Sequence, residues 1–225
     1  MAWLVDFYRS PLAKKVVMAV TGIILFGFVV GHMAGNAKMY LGEEAFNHYA
    51  EGLRAIGDPL LGQGQALWIA RFGLLAAVLL HIWSAWQLTL LNRRARPTPY
   101  VRREMVQATY ASRTMRWGGV IILLFVVYHL LHLTFGSAHP SFQQGNPYHN
   151  VVSGLQNPAV AAFYILANVA LAFHLYHGLW SLFQSLGMNH SSYKSARRIF
   201  ASVFSLLVTA GNISFPLAIL AGIVK

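Results

Sequence analysis

Cysteine is absent from this 225-residue sequence. That removes structural disulfides, thiolate zinc sites, iron–sulphur ligation, covalent haem attachment through C-x-x-C-H and cysteine nucleophiles. Charge is scarce too: Asp, Glu, Lys and Arg make up 10% of the residues and hydrophobic side chains 56%, where a soluble domain carries roughly 25% charged residues. Acids are the rarest, six against 17 Lys+Arg, for a formal net charge of +11. In a soluble protein that excess would point to nucleic acid, so the position of each basic residue matters. No internal repeat and no low-complexity tract is present. Any metal chemistry must use histidine, of which there are ten.

What the chain has in quantity is long apolar runs. A helix needs about 20 mostly apolar residues to cross a hydrocarbon layer of roughly 30 Å. Five such runs occur, over about 16–34, 67–91, 117–135, 159–186 and 199–224. Arg71 stands near the start of the second, where its long side chain can reach the interface. The expectation is an all-α fold, an integral membrane bundle of five transmembrane helices forming one domain over residues 1–225. The first run follows Lys14 and Lys15 but is too long for a signal-peptide core, lacks a small-x-small cleavage site and precedes four more spans, so it reads as mature structure. Pro216 inside the fifth run predicts a kink that neighbouring helices tolerate.

Basic residues orient the bundle. Arg9, Lys14 and Lys15, then Arg93, Arg94, Arg96, Arg102, Arg103, Arg113 and Arg116, then Lys194, Arg197 and Arg198 all fall on one side. The other side has only Lys38, Arg54, Arg71 and Lys225, together with the acids Glu43, Glu44, Glu51 and Asp58. The positive-inside rule then predicts a multi-pass protein of a bacterial or archaeal-type cytoplasmic membrane, with its N-terminus cytoplasmic and its C-terminus outside. This asymmetry accounts for the net charge without a nucleic-acid partner. The arginine-dense second loop either sets topology alone or also docks an acidic cytoplasmic partner.

Ionisable groups at bilayer depth are costly and tend to mark function. Six histidines lie within the runs: His32 in the first, His81 in the second, His129 and His132 in the third, His174 and His177 in the fourth. At 1.5 Å per residue, with direction reversing at each span, His32 sits about 10 Å toward the outside, and His129 and His132 about 5 and 9 Å to the same side. His81 and His174 fall near the middle or slightly to the cytoplasmic side. The histidines thus sort into two layers, each drawn from two helices of one direction. Opposed imidazoles at one depth in an apolar bundle suit six-coordinate b-type haem, so two layers imply two haems that only pass electrons. Zinc fits less well, since two nitrogens per layer leave its tetrahedron half empty. A haem-free transporter using histidine proton relays, or a plain structural anchor, is the alternative. The pairs His129/His132 and His174/His177 are spaced i, i+3 and project from nearly one face. One of each is axial, and the other is free to bond a propionate, a backbone carbonyl or a quinone. Depth slightly favours His132 over His129.

Four stretches carry a family resemblance: Val30-Gly31-His32-Met33; Leu79-Leu80-His81; Arg116 with Tyr128-His129; and Phe173-His174-Leu175-Tyr176-His177-Gly178-Leu179-Trp180 with Gly187. In order and spacing the chain resembles the five-helix dihaem cytochrome b membrane anchors of succinate:quinone oxidoreductases and quinol:fumarate reductases, the respiratory complex II group. The resemblance implies His129 rather than His132 and His174 rather than His177 as ligands, giving an outer haem b on His32 and His129 and an inner one on His81 and His174. It implies a membrane anchor and electron-transfer subunit of succinate dehydrogenase, or of a fumarate reductase working in reverse. It also implies flavoprotein and iron–sulphur subunits docked on the cytoplasmic side, and a membrane quinone, with menaquinone the expected species, as substrate. Cytochromes of the bc type instead carry both layers' ligands on one helix, thirteen or fourteen residues apart, a spacing absent here. No dinucleotide fingerprint, cluster motif or dicarboxylate site is visible, so succinate chemistry belongs to the partners. Some relatives use an acid near the outer haem for quinol protons. Glu43, Glu44 and Glu51 lie in that region but match no motif, and read as solvated loop charges.

Overall fold

A computed structural model describes residues 10–95, 110–188 and 190–225. Arg9, Arg96, Arg102 and Arg103 lie outside the described residues. Three helices begin with the same device, a capping side chain followed by proline, whose missing N–H costs nothing at a first helical position. Ser10 accepts from the Ala13 N–H at 3.1 Å and opens α1, Pro11–Asn36. Asn146 caps α5, Pro147–Leu155, and Asn157 caps α6, Pro158–Ser185. Between these, a 3₁₀ turn Ala37–Leu41 leads from α1 into α2, Glu43–Ala55. Glu43 and Glu44 in the first turn of α2 and Arg54 in its last complement the helix dipole. Helix α3 spans Gln65–Arg94, and α4 spans Tyr110–His129 before widening into a π turn, Leu130–Thr134. A 3₁₀ turn Ser191–Tyr193 leads into α7, Lys194–Leu220, which runs on through Pro216. No strand occurs among the described residues.

Five of these helical segments are long and apolar enough to span a membrane: Pro11–Leu41, Gln65–Arg94, Met115–Thr134, Pro158–Ser185 and Ser191–Leu220. The middle of every expected span is matched, but the first and last begin five and eight residues earlier than the apolar runs. A run ends at the first charge, whereas the helical hydrogen-bond ladder continues through Lys14 and Arg197, whose stems stay on apolar surface. The polar helices α2 and α5 are additional to the expected spans.

Helix α1 packs closely along α3, while α4 packs along α6 and α6 along α7; α1 meets α6 and α7 only sparsely. The molecule is therefore a pair, α1 and α3, facing a trio, α4, α6 and α7, across a seam. Large apolar side chains such as Ile69, Leu79, Trp86, Leu124 and Leu206 stay exposed along the spans, as expected where lipid is the solvent. The tightest apolar core lies at one end, where Met39, Phe46, Tyr148, Val152, Leu155 and Phe215 come together under α2 and α5. Polar side chains stitch that end. Asn47 Nδ2 donates to Asn146 Oδ1 at 3.0 Å, Asn146 Nδ2 donates to Glu43 Oε1 at 2.8 Å, and the Tyr148 N–H donates to Asn47 Oδ1 at 3.1 Å. Glu43 is thus a structural acceptor, not only a solvated charge.

At the opposite end Arg197, read from the sequence only as a topology charge, is 6% exposed. Its Nη1 donates to the Met188 carbonyl at 2.6 Å. Its guanidinium lies 5.3 Å from the centre of a Trp180 ring that Arg198 also approaches, at 4.9 Å. The α6–α7 turn is held by this contact as well as by the spans.

Gly136 closes the π turn with φ +76°, and the Phe142 ring fills the space where a Cβ would stand. Gly136→Ala therefore meets both a left-handed backbone and an occupied site. It is expected to cost about 1–3 kcal/mol, read as a lower thermal midpoint in detergent. A midpoint equal to the parent's would refute the packing described for this loop.

Candidate functional site

Both histidine layers lie in the seam. His32, one turn before the end of α1, faces His129, the last residue of α4, with ring centroids 5.9 Å apart and planes at 86°. His81 on α3 faces His174 on α6 with centroids 6.2 Å apart and planes at 58°. All four site residues expected from sequence are thus brought together as two pairs, and each pair bridges helices that are not close packing neighbours.

Glycines report the spacing of the layers. A Cβ on Gly22 would stand 3.5 Å from His81 Cε1, and one on Gly119 would stand 3.9 Å from His174 Cε1. Alanine would fit at either position, but anything longer would push into the ring. Gly22 precedes His32 by ten residues on α1, and Gly119 precedes His129 by ten on α4. Two helices independently place the layers about 15 Å apart. That exceeds the separation expected from span midpoints, because the true helix ends differ from the ends of the apolar runs.

The π turn separates His129 from His132. Its i→i+5 ladder advances less angle per residue than an α-helix, so three residues no longer return to nearly the same face. This corrects the expectation that the two share a face. His129 points at His32, whereas His132 is 1% exposed and stacks on Tyr128 at 5.3 Å and His139 at 4.9 Å. His139 is itself fixed: its Nδ1 accepts from the Ser141 N–H at 3.0 Å, so its Nε2–H donates to the Asn150 carbonyl at 2.9 Å. On α6, which is regular, His177 lies one turn beyond His174 and is half-buried.

Three further groups escaped the sequence reading. The Thr21 hydroxyl lies 3.1 Å from His81 Nδ1. The Tyr164 hydroxyl lies 3.3 Å from His129 Nδ1 and 2.9 Å from His132 Nδ1. Gly154 sits beneath the His132–His139 stack. Thr21 had a signal, as the only hydroxyl in the first apolar run. Tyr164 had none, since tyrosine is common within spans. His174 Nδ1 is buried without a hydrogen-bond partner among the described residues. Among those residues, too, no three His, Asp or Glu side chains converge, so each layer offers two nitrogens and no carboxylate. The open grooves at the surface flank α2, along Glu44, His48 and Glu51, and no span histidine lines them.

A family model described as succinate dehydrogenase/fumarate reductase transmembrane subunit matches residues 92–210. That stretch holds His129 and His174, one ligand candidate from each layer; His32 and His81 precede it. No curated protein and no solved structure gives a match.

A Cβ on Gly154 would stand 2.7 Å from His132 Cε1 and 2.8 Å from His139 Nε2. Both rings are pinned, so neither can give way. Gly154→Ala is expected to destabilise by about 1–3 kcal/mol through overpacking, again read from thermal unfolding in detergent; an unchanged midpoint would contradict the stack.

Proposed function

Since the chain belongs to the succinate dehydrogenase/fumarate reductase transmembrane subunit family, we propose that it anchors its complex in the membrane and carries electrons through two b haems. His32 and His129 hold the outer one, and His81 and His174 the inner. The separation of the facing rings carries the reading. Two metal–imidazole bonds of about 2 Å, with each ring centre about 1.1 Å behind its nitrogen, put coaxial ring centres about 6 Å apart. The two pairs stand at 5.9 and 6.2 Å. The angle between planes is unconstrained, because each imidazole turns about its own metal bond.

With both axial positions filled, such a haem cycles between ferric and ferrous and offers no open site to oxygen or substrate. The protein's part is to supply four neutral imidazoles, hold them in two layers, and surround them with apolar side chains that exclude water. Phe28 stacks on His32 at 5.3 Å and Phe125 packs 5.7 Å from His129. In this reading the arginine-rich end faces the cytoplasm of a bacterial or archaeal-type membrane and receives an iron–sulphur subunit, itself paired with a flavoprotein. His81 and His174 are the layer nearer that end, so electrons enter there, pass to the His32/His129 layer and exchange with a membrane quinone, with menaquinone the expected species. Succinate is oxidised in the partners when the chain works as a succinate dehydrogenase anchor; a fumarate reductase runs the same path backwards.

The reduced-minus-oxidised spectrum of the purified complex tests this. A sharp α-band with two haems per chain is expected, halved in His81→Ala or His174→Ala by loss of the inner haem, and in His32→Ala or His129→Ala by loss of the outer. His132→Ala is expected to keep both. A colourless chain from porphyrin-replete cells would sink the proposal, and loss of a haem in His132→Ala but not in His129→Ala would overturn the ligand assignment. For topology, a phosphatase reporter that is active only outside the cytoplasm is expected to be active when fused after Lys225 and silent when fused after Arg94; the reverse pattern would invert the sidedness.

A further inference from the structure

An imidazole that gives one nitrogen to a metal carries its hydrogen on the other, and inside an apolar bundle that N–H needs a protein acceptor. We infer that Thr21 and Tyr164 are positioning residues, each fixing the tautomer and ring orientation of one axial histidine: Thr21 that of His81 in the inner pair, Tyr164 that of His129 in the outer. The inference rests on the dihaem reading above.

For the inner pair the argument is one of counting protons. Thr21 is 4% exposed and has a single hydroxyl hydrogen. That hydrogen goes to backbone carbonyls of its own helix, with Val17 O at 2.7 Å and Met18 O at 3.2 Å. Its oxygen can therefore only accept from His81 Nδ1 at 3.1 Å. The ring then has its hydrogen on Nδ1 and the lone pair on Nε2. Gly22, next along α1, leaves the ring room to sit there.

For the outer pair one phenol lies between two imidazole nitrogens. Tyr164 is 6% exposed and can donate only once, so it donates to one ring and accepts from the other. With His129 committed to metal through Nε2, its Nδ1–H donates to the Tyr164 oxygen at 3.3 Å, and Tyr164 donates to His132 Nδ1 at 2.9 Å. The shorter contact is the one that carries the phenolic hydrogen. His132 is in turn clamped between Tyr128 and His139, and His139 is tied to loop backbone at Asn150 and Ser141. This gives His132 a task as the fixed acceptor at the end of a relay that aims His129.

The two cases share a plan. Thr21 stands on α1, the close neighbour of His81's α3, and Tyr164 stands on α6, the close neighbour of His129's α4. Each acceptor comes from the tightly packed helix beside the ligand, never from across the seam. The opposing ligands have no such support: among the described residues His174 Nδ1 has no partner.

Redox titration of the α-bands in the intact complex tests the inference, with each haem identified from the single-haem variants His32→Ala and His81→Ala. Losing the acceptor makes the imidazole a weaker donor to ferric iron, so the potential of that haem rises. The expected change is about tenfold in the ferric-to-ferrous preference, or about 59 mV for a one-electron couple. Thr21→Val is expected to move the inner haem alone, Tyr164→Phe the outer alone, and Thr21→Ser to restore the parent value. If Thr21→Val loses the inner haem entirely, retention at parent potential in Thr21→Ser supports the same conclusion, and loss in both overturns it. Unchanged potentials in a dihaem protein, or equal movement of both haems in either variant, also overturn it. A parent complex without two haems would defeat the underlying reading, and this inference with it.

Discussion

Between the α1–α3 pair and the α4–α6–α7 trio the backbones stand apart, and what meets in the gap are opposed imidazole rings at two heights. Helices in a bilayer gain little from hiding apolar surface from one another, because lipid is as apolar as leucine; they associate through close packing and polar contacts. Here close packing operates inside each group and the histidine pairs span between them. The rest of the molecule keeps that gap at one width. The stitched end around Asn47, Asn146 and Tyr148 sets it on one side, and the sparse contacts of α1 with α6 and α7 hold it along the length.

The layers differ in how their polar groups are satisfied. The inner layer lies within uninterrupted α-helix, and its one hydrogen-bonded ring leans on a threonine whose own hydrogen is used locally. The outer layer lies where α4 has just widened, and its ring belongs to a longer chain through Tyr164, His132 and His139 into loop backbone. Burying five aromatic or imidazole rings together at that end is tolerable because every polar nitrogen of His139, and the Nδ1 atoms of His129 and His132, has a partner.

Much of this was legible in the chain itself. Five apolar runs became five spans, and the rarity of histidine elsewhere in them singled out the residues that pair. Span ends were less legible, since Lys14 and Arg197 end a hydropathy run without ending a helix. The short helix α2 is amphipathic and polar and so left no membrane-length signal, yet Asn146-Pro147 and Asn157-Pro158 are starts that capping chemistry alone could have found. His132 was misjudged for a definite reason. Depth and the i, i+3 rule both assume regular α-helix, and a π turn has no sequence signature that overrides them. The Tyr164 link depends on two helices meeting at one height, which periodicity along one helix cannot reveal.

That widened turn has a genetic consequence. A π turn is an α-helix holding one surplus residue, so deleting any single codon within 130–134 would let α4 relax into a regular helix. Everything beyond would then swing by about 100°, carrying the imidazole stack and the Gly136 corner away from α5. Substitutions in this stretch can be absorbed one at a time, but a change in its length cannot, so gain and loss of residues here should be far rarer among descendants of this chain than in the loop between α3 and α4.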